Sequence, residues 1–493
     1  VRPVLIDRLE LPAAFNGDGP VSKQIAECLR QGIIDGLVSP NIILPSVREM
    51  AVQLGVSRST AARAIEELSA QGYVVAEMGS GTKVAARLPG ELEEKPSVRD
   101  EHAPLKEVEL SAFARRLMSR QASGAISTLV SYNGPSLKDV PLGIWRDLIA
   151  RHCRAGVEVD SSSASQLSYA PEPFGFPPLR EAYASYLTRA RAVKVNAERL
   201  VVFASRNLRL DLIARLLLSE GDLVAVEEPG FSTAREQLLA RGATVLPIGV
   251  DSQGMKVDEL IAAGPVKLIY VTPSHQEPTG AVLSMIRRKQ LLDYAAKCGA
   301  YIIEDDYDSE FRYDGRPLPS LQGMDSSDRV IYLSCLWNVL APVTRLGFMV
   351  LPAGMVQAVH ACKSLVERDV SYIEQAALSD FINEGHLEKL IRQKRQVYAS
   401  CRQSLISKLE SIFDRQIWTA PESAGLELLV RFQDGFDSQT IESAALQSGF
   451  PITNTSWWYF GNPRPLEYTI SFTWLGEEEM AKRLEHFASL LSA

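Results

Sequence analysis

The sequence predicts a two-part α/β protein, with a small helical unit carrying a β-hairpin first and a much larger α/β body after it. Three observations carry this reading. Apolar residues near the start recur at helical spacing, a charged and proline-containing stretch interrupts the chain after about residue 86, and beyond it short β-rich apolar runs alternate with helical segments. The 493 residues leave room for two or three domains at ~100–200 residues each. At 46% hydrophobic and 23% charged, the chain is well able to bury a core.

In the first unit, Ile25, Leu29 and Ile33 make one apolar helical stripe, and Gly36 follows as a stop. Ser46 and Glu49 have the S-x-x-E spacing of a capping box, and Val47, Met50, Ala51 and Leu54 then fall on one helical face. Gly55 permits a tight turn, Ser57 caps a third helix, and Ala61, Ile65 and Leu68 form its buried side. Tyr73–Glu77 and Thr82–Ala86 are expected to pair as a hairpin around Gly79-Ser80-Gly81.

Residues 90–110 hold seven acids and three bases, a local balance of −4. Such a segment buries too little apolar surface to offset its ordering entropy, and it is expected to be a solvated linker. The expected division is therefore 1–86 for the small unit, 87–125 for the linker and 126–493 for the body. In the body, strands are expected at Leu200–Phe203, Leu223–Val226, Ala243–Leu246, Leu268–Val271, Tyr301–Glu304, Val330–Leu333 and Phe348–Leu351. Helices such as Asn207–Leu218 and Ile286–Cys298 lie between most of them, the pattern of a largely parallel sheet. From about residue 370 the pattern turns helical over Ile373–Leu409 and then mixed. This suggests a large lobe over about 140–370 and a smaller α+β lobe over about 371–493.

Composition narrows the function classes. The net charge of −8 gives no bulk basicity, so any nucleic-acid contact has to come from a local patch. Six scattered cysteines without CxxC or zinc-type spacing indicate reduced thiols and no metal site. No apolar run reaches the ~20 residues needed to cross a bilayer, and the N-terminus lacks a secretory apolar region. A cytoplasmic protein with no membrane partner is expected.

Two helices joined by a short glycine-containing turn are a helix-turn-helix signature, and the hairpin adds a wing. Arg58 and Arg63 are placed to reach phosphates or guanine edges, and Ser57 and Thr60 to bond backbone or base. Arg48 at the start of the second helix is placed for a phosphate, Gly81 for close backbone approach, and Lys83 adds charge to the wing. Residues 1–86 hold eight bases and nine acids, so charge alone favours an ordinary solvated face. The ordered string says more: LPSVREMAVQLGVSRSTAARAIEELSAQGYVVAEMGSGTKV resembles the winged helix of GntR-type bacterial regulators almost position by position. It implies operator DNA as a partner.

Further along, VTPSHQEPTG and YIIEDDYDSEFRY sit at carboxyl ends of strands, where α/β sheets bind ligands. Together with VTRLG and GHLEKLIRQKRQVY, they resemble the fold-type I aminotransferase body that is fused to GntR winged helices in the MocR subfamily. The resemblance covers nearly the full chain. It implies a mixed, mostly parallel seven-stranded sheet with helices on both faces, and pyridoxal 5′-phosphate as the cofactor. It also implies Asp305 at the pyridine nitrogen, Tyr307 and Gln276 near the 3′-oxygen, Phe231 stacked on the ring and Arg345 on the phosphate.

Three departures from the pattern stand out. Where the family reads G-T-F-S-K, with the lysine that forms the Schiff base, this chain has Ser334-Cys335-Leu336-Trp337-Asn338. A carboxamide has no amine to give an imine, so no catalytic residue is expected and any cofactor is held noncovalently or lost. Arg206 stands where the family has a glycine near the phosphate, and Thr469 where aminotransferases place the arginine for a substrate carboxylate. The expected function is a transcriptional regulator whose body senses a small effector and forms a head-to-tail homodimer. The alternative is a pyridoxal-phosphate enzyme with an accessory DNA-binding domain, which would need another lysine, such as Lys363 or Lys267.

Overall fold

The computed structural model describes residues 19–77, 81–89, 108–122, 139–157, 172–314, 318–421, 424–433 and 435–492. The chain divides into two units, Val1–Glu109 and Leu110–Ala493.

In the first unit, α1 (Val21–Ile34) buries Ile25, Leu29 and Ile33. Helix α2 (Val47–Gln53) starts at Ser46, whose hydroxyl accepts the Glu49 N–H at 3.3 Å while the Glu49 carboxylate accepts the Ser46 N–H at 3.0 Å. This is the expected capping box, and it satisfies two backbone donors that would otherwise lack partners. Gly55 turns the chain with φ +63. Ser57 then caps α3 (Arg58–Ala70), which buries Ala61, Ala64, Ile65 and Leu68. Strands β1 (Val74–Glu77) and β2 (Gly81–Val84) pair antiparallel with Val74 opposite Val84. Gly79 and Ser80 of the expected wing tip lie outside the described residues.

The span read as linker is not all linker. Residues Ala112–Ala122 form α4, and Arg116 in it pairs with Glu236 of the body at 3.1 Å. Past Glu109 the composition changes from acidic to the strong helix formers alanine, leucine, methionine and arginine. The rest of the body starts with α5 (Leu142–Val157) and α6 (Pro177–Arg191), followed by β3 (Leu200–Phe203), α7 (Arg206–Leu217), β4 (Leu223–Glu228), α8 (Ser232–Ala240), β5 (Thr244–Asp251) and β6 (Gly254–Met255). Next come α9 (Val257–Ala262), β7 (Leu268–Val271), α10 (Met285–Cys298), β8 (Tyr301–Asp306), α11 (Leu321–Met324), β9 (Val330–Cys335), α12 (Trp337–Leu340), β10 (Gly347–Val350) and α13 (Val356–Val366).

The large sheet has the order β3-β10-β9-β8-β7-β4-β5-β6. It contains the seven expected strands plus the two-residue β6. Neighbours from β9 through β5 run parallel, while β10 is antiparallel to both its partners. Alternate strand residues serve opposite layers: Val202 packs with Tyr183 and Phe348, and Val201 and Phe203 pack with Ile213 and Met349. Covering on both faces is why these strands read as continuous apolar runs.

The helical stretch expected over 373–409 is two helices, α14 (Tyr372–Asn383) and α15 (His386–Phe413). They are separated at Gly385, which has φ +77. The small lobe adds β11 (Ile417–Thr419), β12 (Glu427–Phe432), α16 (Ser438–Ser448), β13 (Ile452–Asn454), β14 (Glu467–Ser471) and α17 (Glu477–Leu491), with an antiparallel sheet ordered β11-β12-β14-β13.

Gly425 closes the small lobe onto the large one. Its N–H donates to the Phe311 carbonyl oxygen at 2.8 Å, its own carbonyl accepts the Tyr313 hydroxyl at 2.7 Å, and its φ is +79. A Cβ there would lie 2.1 Å from His275 Cε1. The positive φ and the clash add, so Gly425→Ala is expected to destabilise the body by about 2–3 kcal/mol. Urea unfolding of the full chain measures this.

Candidate functional site

On the small unit, Arg48, Arg58 and Arg63 are all exposed, and among the described residues none is paired with a carboxylate. Ser57 spends its hydroxyl locally, accepting the Thr60 N–H at 3.1 Å and lying 2.8 Å from the Thr60 hydroxyl. Both groups therefore order the start of α3, and the two α3 arginines project from it. Lys83 is half-buried on β2, and Gly81 is exposed with φ +93.

In the body, the carboxyl ends of β4, β7, β8 and β9 meet along one edge of the sheet. A cavity of about 220 Å3 opens there, lined by Ser205, Asn207, Phe231, Thr233, Cys335, Trp337 and Arg345. It is smaller than the ~300–1,000 Å3 of drug-sized sites. Ser205 caps α7 by accepting the Asn207 N–H, so the positive end of this 12-residue helix meets the cavity. The Arg345 guanidinium lies 4.6 Å from the centre of the Trp337 indole. This contact holds the cation over an aromatic face. The side chain of Arg206 lies outside the described residues.

Of the expected cofactor residues, Phe231 and Arg345 line the cavity directly. Asp305 is connected to it through Tyr270, which stacks on Phe231 with centroids 6.4 Å apart and donates its hydroxyl to Asp305 Oδ2 at 2.5 Å. The Tyr307 hydroxyl lies 3.0 Å from His275 Nδ1, and that nitrogen lies 2.8 Å from Asp308 Oδ2. Gln276 serves the scaffold: its amide nitrogen donates to the carbonyl oxygens of Pro229 and Glu277 at 2.8 and 2.7 Å and reaches Glu227 Oε2 at 3.3 Å. Asn338, half-buried on α12, donates from Nδ2 to the Tyr307 carbonyl oxygen at 2.9 Å. Thr469 is buried in β14 between Leu429 and Thr453, and Arg464 lies 4.0 Å from Glu467.

Several residues of this neighbourhood were not singled out from the sequence. Tyr270 reads there as one more apolar strand position, and His275 as part of a loop. Arg209 is buried in α7 and donates to the carbonyl oxygens of Ser334 and Phe348, fixing the end of β9 that leads to Cys335. Among the described residues no group of His, Cys, Asp or Glu is arranged to hold a metal ion. No described helix is long and apolar enough to cross a membrane.

Residues 21–84 match the profile of bacterial regulatory proteins of the gntR family, and residues 148–442 match aminotransferase class I and II. The chain is 33% identical over 450 residues to the probable rhizopine catabolism regulatory protein MocR of Rhizobium meliloti, covering 91% of this chain and 89% of the relative. The chain belongs to the MocR-type regulators of the GntR family. Another relative, the HTH-type pyridoxine biosynthesis transcriptional regulator PdxR of Corynebacterium glutamicum, is 28% identical over 85% of this chain and 86% of its own. The body is similar to the kynurenine aminotransferase of Pyrococcus horikoshii, with a TM-score of 0.65 and 25% identity over 78% of this chain and 95% of that one.

A MocR-type regulator therefore combines a DNA-binding winged helix with an aminotransferase-like body, and the cavity described above lies in that body. One buried acid holds the loops around it. Glu227 accepts from the Thr272 N–H at 3.1 Å, from the Thr272 hydroxyl at 2.5 Å and from Gln276. Burial pushes its carboxyl from 4.5 up to about 7, against the opposing pull of those hydrogen bonds. A carboxyl raised in the folded state contributes stability that is full below about pH 4.5 and lost as the pH rises to about 7. Glu227→Gln is expected to flatten the fall in stability across that window, read from urea midpoints at a series of pH values.

Proposed function

We propose that this regulator reads operator DNA through Arg58 and Arg63 of α3, assisted by Arg48, Ser57, Thr60, Gly81 and Lys83. We further propose that its body holds a phosphorylated pyridine noncovalently as effector, within a head-to-tail homodimer. The observation that carries the sensor reading is Asn338. The position where the resemblance expects an amine holds a carboxamide, already engaged with the Tyr307 carbonyl oxygen. An amide nitrogen cannot form an imine, because its lone pair is delocalised.

The donor set of the cavity suits such a ligand. Ser205, Asn207, Thr233, the Arg345 guanidinium and the start of α7 favour a phosphate, and Phe231 offers a flat apolar face. Asp305, buried behind Phe231 and Tyr270, supplies a carboxylate for a protonated ring nitrogen. When bound, the pyridine would bring a titratable nitrogen and a dianionic tail, and the protein would bind both by hydrogen bonds and charge. Effector binding then has only to favour one arrangement of the body to change DNA affinity. A coupling of ~1–3 kcal/mol is enough.

Arg58→Ala and Arg63→Ala are each expected to weaken binding to a duplex selected by this protein from a random library, about tenfold or more. Where the lost contact is to a phosphate, the slope of log affinity against log salt falls by about one. Unchanged affinity in both variants would exclude α3 as the reading helix. For the body, protein dialysed free of excess pyridoxal 5′-phosphate and then reduced with borohydride is expected to show no adduct on the cavity's peptides by mass mapping, whereas Asn338→Lys gains one at residue 338. A reduced adduct on a lysine at the cavity of the unsubstituted chain refutes the noncovalent reading.

A further inference from the structure

Three parts of the body meet on α8. The helix starts at Phe231, its N-cap, and both Phe231 and Thr233 of its first turn line the cavity. Arg235 is buried and reaches the small lobe: its Nη2 donates to the Trp457 carbonyl oxygen at 3.3 Å, and its guanidinium lies 5.5 Å from the centre of the Phe460 ring. Glu236, also buried, accepts Arg116 Nε of α4 on Oε2 at 3.1 Å, while its Oε1 lies 3.7 Å from Arg235 Nε. Among the described residues this is the one hydrogen bond from an α4 side chain to the rest of the body. Helix α4 is in turn the first described helix after the acidic stretch that follows the winged helix.

We propose that the Arg116–Glu236 pair couples the cavity to the chain leading to the DNA-reading unit, with α8 carrying the effect of occupancy to α4. The proposal rests on the reading of the body as an effector sensor and adds the residues through which the effector acts. Both are positioning residues, and neither lines the cavity.

Two properties make the pair a coupling and not a surface ornament. The first is the stiffness of a helix. Backbone hydrogen bonds join each residue to the one four ahead, so a ligand pressed on Phe231 and Thr233 sets the position of the next turn, which carries Glu236. The second is burial. The Glu236 side chain is 6% exposed and that of Arg116 36%. A carboxylate removed from water does not exchange a cation for solvent as a surface carboxylate does, so α4 follows Glu236 when α8 shifts. Arg116 Nη2 is buried without a hydrogen-bond partner, so the guanidinium has no second anchor of that kind to hold it back. Because Arg235 is tied to the small lobe, a shift of Trp457 and Phe460 reaches the same carboxylate.

Hydrogen exchange of α4 and duplex binding by the full chain, each with and without saturating pyridoxal 5′-phosphate, test this. The ligand is expected to slow exchange in peptides covering α4 and to change duplex affinity about fivefold or more. Arg116→Met and Glu236→Gln are each expected to bind the ligand as the unsubstituted chain does in isothermal titration. Both are expected to leave α4 exchange unresponsive and to bring the change in duplex affinity within about twofold of unity. The double variant is expected to match the single ones, because each removes the same contact, and Arg116→Lys, which keeps the cation, to retain the response. A response of α4 that persists in both variants overturns the coupling. So does a ligand that binds and alters duplex affinity while α4 exchange stays unchanged, and that result leaves the sensor reading standing. Slowed α4 exchange with constant duplex affinity overturns the sensor reading and keeps the link from α8 to α4. Absence of binding overturns both.

Discussion

The end of β8 imposes the strictest demand in the molecule. Glu304, Asp305, Asp306 and Asp308 lie within five residues, and all are buried. Carboxylates removed from water need partners that recover most of their lost hydration. The chain supplies a different partner for each. Glu304 accepts the Leu321 and Gln322 N–H groups at 2.8 Å, Asp306 accepts Arg191 Nε at 2.8 Å and the Tyr332 hydroxyl at 2.5 Å, Asp305 takes Tyr270, and Asp308 takes His275. These partners come from α11, α6, β9, β7 and the loop after β7. Satisfying one short acidic run thus fixes five pieces of chain against the edge of the sheet where the cavity opens. Strand alternation also sorts them: Ile303 shares a layer with Phe231 and Tyr270, Ile302 belongs to the opposite one, and Asp305 is thereby aimed toward the cavity side.

This scaffold defines the pocket without drawing on residue 338. Phe231 is held by Tyr270, and the loop that presents it is held by Glu227 and Gln276. Arg345 rests on Trp337, and the end of β9 is held by Arg209. None of these contacts passes through residue 338.

Much of this was legible in the sequence because the signals are local. The capping box at Ser46 and Glu49, the Ser57 cap and the apolar faces of the first three helices depend on residues three or four apart, and all appear as read. The seven strands were visible as apolar runs, although β5 extends to Asp251, well past Leu246. What was not legible depends on pairing across long separations. Arg209 finds Ser334 and Phe348 more than a hundred residues away. His275 acquires its place only when Asp308 and Gly425 are brought beside it. Gln276 illustrates the limit of motif reading: the motif does not show that its amide nitrogen braces the loops at Pro229 and Glu277.

On the reading of Asn338 proposed above, the alternative of an enzyme depends on a lysine from elsewhere, and Lys363 is the better of the two that the sequence offered. Burial lowers its pKa, with Glu367 pulling the other way, and a lowered amine is what imine chemistry prefers. Its surroundings argue against that use. Lys363 Nζ is 3.1 Å from Glu367 Oε2, donates to the Glu367 carbonyl oxygen at 3.1 Å and lies 5.0 Å from the centre of the Phe203 ring. Glu367 in turn accepts the Ala204 N–H at 2.9 Å, next to the Ser205 cap of α7. Withdrawing Lys363 would leave the Glu367 carboxylate without its cation beside the loop that carries Ser205 to the cavity. Lys267 precedes β7, at the amino end of a parallel strand, whereas the cavity forms at the carboxyl ends. Lys363 is engaged with Glu367, and Lys267 stands at the end of the sheet away from the cavity.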